Sequence, residues 1–159
     1  MIGDRDGLVA FALRIGKHAA QELEAEGVHP PLYMLWPQDR TAQPVTRLLD
    51  DSGPDAIDRW GEVIARAAAE ARATTAVVIM EGWTAKPPGR RNEAQEVLIV
   101  AAANADGHEA VVETLTTMDD RGRRHVKGEG VLRPETEQFS VFEPLRAIWR
   151  RYVEQSPTK

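Results

Sequence analysis

The residues most able to do chemistry in this sequence surround an apolar run that ends in Glu81-Gly82-Trp83. A carboxylate placed directly after buried residues is either half exposed at the end of a strand or part of a site, because burying it unpaired is costly. Three cations, Lys86, Arg90 and Arg91, follow in the loop AKPPGRRNEA. The sequence therefore predicts that Glu81 anchors the 85–94 loop by pairing with one of these cations and is not a catalytic acid.

An alternative makes the same region a ligand site in an acid–base enzyme. In that hypothesis Glu81 and Glu113 lie on neighbouring strands and flank a ligand, and the two loop arginines bind its anionic part. Trp83 joins the set because it ends a strand and so leaves the core. The candidate residues for binding a ligand or a partner are Glu81, Trp83, Lys86, Arg90, Arg91 and Glu113.

A second group of cations would suit phosphates: Arg121, Arg123, Arg124, His125 and Lys127. It follows two aspartates, and the chain has a net charge of −5 and a pI near 5.4, so no global positive field attracts nucleic acid. The pattern favours a solvated turn and an edge strand. Local binding of nucleic acid or phosphate is the alternative.

Several chemistries are excluded or disfavoured by composition and spacing. The chain has no cysteine, which excludes disulfides, thiolate nucleophiles and iron–sulfur clusters. Ser52 and Ser140 suit helix caps and Ser156 lies in a polar tail, so a Ser-His-Asp hydrolase lacks a nucleophile. The sequence contains neither common phosphate-binding glycine motif. We expect no catalytic residue and no cofactor.

Metal binding is also not expected from the histidines, which are His18, His29, His108 and His125. None belongs to a tight ligand pair. In the string HEAVVE, His108 and Glu113 would point to opposite faces of a strand, so they cannot close on one ion.

The N-terminal twenty residues place acidic side chains ahead of a short apolar stretch that soon meets Arg14 and Lys17. This pattern is wrong for a signal peptide and too short to span a bilayer. Together with the absence of cysteine, it predicts a cytoplasmic protein with no membrane partner. The excess of arginine over lysine and the abundant alanine are typical of GC-rich bacterial or phage genomes.

Periodicity predicts one mixed domain over 1–155, followed by a flexible tail at 156–159. The predicted helices run over 6–26, from the Ser52 cap to about 73, and from 140. The predicted strands are a proline-bounded one over 32–36 and three over 75–85, 95–104 and 109–118. The segments at 44–49 and 123–131 are candidates for one further strand each. Asp106-Gly107 signals a two-residue hairpin loop, which would put Val112 on the face of Ala101.

Both faces of that hairpin are largely apolar, and such a sheet needs helices on both sides. The predicted fold is therefore α+β, with an antiparallel sheet of about 4–5 strands between helices in an α/β/α sandwich.

This order of elements resembles the roadblock and profilin-like folds, small antiparallel sheets that serve as binding or dimerisation platforms. The segment from Glu81-Gly82-Trp83 to Val100 also resembles a segment of uncharacterised small bacterial and phage proteins. Neither resemblance implies catalytic residues. With no catalytic motif present, the leading hypothesis is a small non-enzymatic binding or regulatory protein that acts as a homodimer, with another protein as the alternative partner.

Overall fold

The structure, a computed structural model, describes residues 4–39, 41–49, 55–83, 95–133 and 139–155, with the side chains of residues 83 and 152–155 excepted. The predicted tail at 156–159 and the Ser52 cap lie outside the described residues. No described helix combines the length and the apolar character needed to cross a membrane.

Three helices and seven strands are present in the described residues. In chain order these are α1 (Arg5–Glu26), β1 (Leu32–Pro37), β2 (Val45–Leu48), α2 (Ala56–Ala71), β3 (Ala73–Trp83), β4 (Glu96–Asn104), β5 (Glu109–Met118), β6 (Arg124–Val126), β7 (Val131–Leu132) and α3 (Glu143–Gln155), with a 3-10 turn over Ser140–Phe142. The α+β class is confirmed. The number of strands was wrong, because β2 does form and because the 123–131 segment makes two short strands on either side of Gly128, whose φ is 102°.

All strand pairs are antiparallel, and the order across the sheet is β2-β1-β3-β4-β5-β6. The short strand β7 pairs with β5 beside Val112, so β6 and β7 share the outer edge of β5. The proline-bounded strand β1 is not an edge strand, since it pairs with β2 on one side and β3 on the other. Among the described residues, the sheet therefore ends at β2.

Buried side chains fall into two clusters that take alternate residues from each strand. The α1 cluster joins four residues of α1 to one set of strand residues: Leu8, Ala12, Ala19, Leu23, Val77, Ile79, Leu98, Val100, Ala102, Ala110 and Val112. The α2–α3 cluster joins residues of α2 and α3 to the other set, which includes Val78, Met80, Val97, Ile99, Ala101 and Val111. Successive strand residues point to opposite faces, so each cluster uses one face of the sheet.

The register of the β4–β5 hairpin differs by one residue from the prediction. Ala101 faces Val111, and Val100 faces Val112, so Val112 lies on the face opposite to the predicted one. Asn104 accepts a hydrogen bond from the backbone N–H of His108 at 3.0 Å through its side chain, and Gly107 has a φ of 92°. The loop thus has three residues, with glycine in the left-handed position that such loops favour.

Candidate functional site

Glu81 lies near the end of β3 on the face used by the α1 cluster. It continues the row of Val77 and Ile79 and pairs in register with Leu98 of β4. Its side chain is 24% exposed. The expectation of a half-buried carboxylate is consistent with this position, because the apolar row ends one step before Glu81.

A described partner of Glu81 is Arg124 of β6, which sequence reasoning missed. Arg124 Nε lies 3.1 Å from Glu81 Oε1, and its Nη1 also contacts Glu96 Oε2 of β4. Glu96 follows Glu81 along the same face, because it pairs in register with residue 83. Glu81, Arg124 and Glu96 form what we call the carboxylate–arginine cluster.

Burial raises the pKa of Glu81 above its ordinary value, and the Arg124 guanidinium opposes this rise without cancelling it. The negative charge of Glu96 also raises this pKa, whereas the nearby His29 lowers it. Among the described residues, the buried Oε1 atom makes its contact with Arg124 without a well-directed hydrogen bond. The ion pair thus compensates the buried charge only in part.

Four of the predicted site residues cannot be placed against Glu81. Lys86, Arg90 and Arg91 lie outside the described residues, and only the backbone of Trp83 is described. The predicted anchoring of the 85–94 loop by Glu81 stays a prediction.

Glu113 does not share a site with Glu81. It pairs in register with Ile99, on the face of the α2–α3 cluster, and the whole of β4 separates β5 from β3. Its Oε1 lies 3.1 Å from Arg133 Nε, and both side chains are mostly buried. The predicted flanking of one ligand by Glu81 and Glu113 is wrong, because the one-residue difference in hairpin register moves Glu113 to the other face.

Three of the five cations in the second group are engaged by the protein itself. Arg123 Nη2 donates to the carbonyl oxygens of Glu24 and Ala25, at 2.7 and 2.6 Å, in the last turn of α1. Arg124 belongs to the carboxylate–arginine cluster, and His125 contacts two carboxylates. These contacts favour the structural interpretation of the 121–127 segment over a phosphate-binding surface.

A groove of about 350 Å³ opens beside the carboxylate–arginine cluster. Its lining residues are Gln95, Glu96, Leu115, Thr116, Thr117, Met118 and Lys127. It offers hydroxyls, one ammonium and a carboxylate that Arg124 already contacts. In the part of the chain that the structure describes, no three histidine, aspartate or glutamate side chains converge as a metal site would require.

Comparisons with known proteins give no identity. No family model, curated protein or solved structure matches the chain. The geometry of the described residues is therefore the basis for inferring function.

Proposed function

We propose that the protein is a small non-enzymatic binding protein that acts as a homodimer through the outer edge of β2. The observation that carries this proposal is that the sheet ends in a strand whose side chains lie mostly in solvent. Thr46, Arg47 and Leu48 are exposed, and Leu48 is 71% exposed. Open strand edges are templates for pairing with another chain.

The direction of the backbone groups supports a β2–β2 contact. The N–H of Leu49 donates to the carbonyl of Pro31 at 2.8 Å. Hydrogen-bonded and non-hydrogen-bonded pairs alternate along an antiparallel ladder, so Arg47 faces β1 while Thr46 and Leu48 direct their N–H and C=O groups outward. A second copy related by a two-fold axis would present the same outward groups in the opposite direction.

We also infer a three-layer α/β/α arrangement, with α1 over one face of the sheet and α2 and α3 over the other. The division of the buried residues into two clusters supports it. When helices cover both faces of the sheet, its edge strands present the backbone groups that remain open to a partner. One edge is β2, and at the other edge the short strands β6 and β7 lie against β5. β2 is the described edge that best suits a second copy.

The contact should be weak on its own. β2 has only four residues, which limits the number of hydrogen bonds between two copies. In addition, Arg47 Nη1 donates to the outward carbonyl of Thr46 at 2.9 Å, and this hydrogen bond must be replaced by one from the second copy when the edges pair. A cation on an edge strand is a common device against pairing. Stable interfaces bury about 1,200 Å² or more, so we expect a dimer whose population depends on concentration.

Light scattering over a concentration series tests this proposal. We expect the mass to rise from 17.6 kDa toward twice that value. Thr46→Pro removes an outward N–H without removing a bond to β1 and should hold the chain as a monomer, whereas Thr46→Val should dimerise like the natural sequence. Arg47→Ser should favour the dimer. A mass of one chain at every concentration, or a Thr46→Pro variant that dimerises normally, would overturn the proposal.

A further inference from the structure

His125 of β6 lies between two carboxylates from different parts of the chain. Its Nδ1 is 3.1 Å from Glu24 Oε1, near the C-terminal end of α1, and its Nε2 is 2.8 Å from Asp119 Oδ2, in the turn after β5. The imidazole is 35% exposed. It therefore connects a helix, a strand and a turn at a position that protons can reach.

This geometry suits one protonation state. A carboxylate oxygen only accepts hydrogen bonds, so both ring nitrogens must carry a proton to bond to both carboxylates. A neutral imidazole has a single N–H and would direct a lone pair at one of the two oxygens. Only the charged imidazolium donates a hydrogen bond to both carboxylates at once.

We propose that protonated His125 is a latch that fastens β6 to the C-terminal end of α1 and that loosens β6 when it loses its proton. The proposal does not depend on the dimer, because β6 lies at the end of the sheet order opposite to β2.

The neighbouring contacts show what the latch holds. Glu24 accepts a second hydrogen bond, from the backbone N–H of Val126 at 2.8 Å, so the carboxylate that contacts His125 also holds the strand. The Arg124 N–H donates to the Gly27 carbonyl at 2.9 Å, and Arg123 binds two carbonyls of α1. The charged groups that face His125 are thus Glu24 from α1 and Asp119 from the turn, with Arg123 beside Glu24.

Loosening β6 would reach the carboxylate–arginine cluster. Arg124 belongs to β6, and its side chain contacts Glu81 and Glu96. When the strand moves away, the two carboxylates lose their shared cation, and Glu96 becomes more available to the adjoining groove. The latch therefore couples the proton on His125 to the charge of the groove.

The sign of the pH dependence follows from the shifts. Hydrogen bonds to Asp119, and secondarily to Glu24, raise the pKa of His125 in the folded protein. The stability that protonated His125 contributes is therefore complete below the unfolded pKa of about 6.5, and it is lost as pH rises through the higher folded pKa. Hydrogen bonds lower the pKa values of Glu24 and Asp119, so their contribution is lost only as pH falls through those lowered values. The latch is therefore tightest at pH values above the lowered pKa values of Glu24 and Asp119 and below the raised pKa of His125.

Amide exchange of Arg124 and Val126 tests the latch, measured from about pH 5 to about pH 9 around the ordinary histidine pKa and corrected for intrinsic exchange. We expect their protection factors to fall several-fold as His125 deprotonates, with the NMR titration of its ring giving the midpoint. In His125→Gln this fall should be absent, whereas His108→Gln, beside the β4–β5 hairpin loop, should retain it. Protection that stays constant in the natural sequence, or a fall that persists in His125→Gln, would overturn the proposal.

Discussion

Replacing Trp149 with alanine is expected to lower the free energy of unfolding by about 3 to 5 kcal/mol, the range for large-to-small changes in a well-packed core. Trp149 is 4% exposed in the α2–α3 cluster, and its indole N–H donates to the carbonyl of Ala73 at 2.9 Å. The side chain thus attaches α3 to the start of β3. Its removal deletes apolar contacts and leaves a carbonyl without this donor.

Chemical denaturation measures this loss, and two further variants separate its causes. Trp149→Phe keeps an aromatic ring but lacks the N–H, so it should cost less than the alanine variant. Trp60→Ala, in the same cluster from α2, should fall in the same range as Trp149→Ala because Trp60 is 6% exposed. Midpoints that barely move for both alanine variants would contradict the three-layer arrangement.

Arg124→Met is expected to destabilise the protein by about 1 to 3 kcal/mol at neutral pH. It leaves Glu81 and Glu96 on one face of the sheet without their shared cation. Removing one partner from a fully buried pair costs about 3 to 5 kcal/mol, and the cost is smaller here because water still reaches these side chains. Methionine retains most of the apolar stem, so the loss reports mainly the charge.

The pH dependence of this variant gives a sharper test. Burial already raises the pKa of Glu81 in the folded protein, so ionising Glu81 disfavours the folded state. The free energy of unfolding therefore falls as pH rises from the pKa of Glu81 in the unfolded chain to its higher pKa in the folded protein. Without Arg124 the folded pKa should rise further, so the loss in Arg124→Met should shrink on acidification. The double variant Glu81→Gln with Arg124→Met should lose less at neutral pH. An equal loss at neutral and acidic pH would contradict this account of the cluster.

Locally determined elements were well predicted from the sequence. The first helix ends at Gly27, which has the left-handed φ of 79° expected of a glycine cap, and β5 has the predicted bounds of Glu109–Met118. The apolar stripes of the second and last predicted helices also predict that Trp60 and Trp149 are buried, and this is confirmed. In α1 and β5 a periodic apolar pattern and a cap or turn residue lie within a few positions of one another.

The candidate site was predicted less well because it depends on register and on long-range contacts. The side chain of Asn104 bonds to the backbone of Asp106 and His108 and supports a three-residue loop, which the Asp106-Gly107 dipeptide alone does not indicate. The third loop residue shifts the β4–β5 register by one position and so decides on which face of the sheet Glu113 lies. Arg124 approaches Glu81 from a strand three positions away in the sheet, and no local pattern encodes such a pairing.

The most direct test of the proposed dimer is amide exchange in β2 as a function of protein concentration. The amides of Thr46 and Leu48 face outward, whereas that of Arg47 faces β1 and serves as an internal control. We predict that Thr46 and Leu48 become protected as the mass rises, while Arg47 is protected throughout. Exchange of Thr46 and Leu48 at the unprotected rate at every concentration, even where the mass is that of a dimer, would contradict the β2 interface.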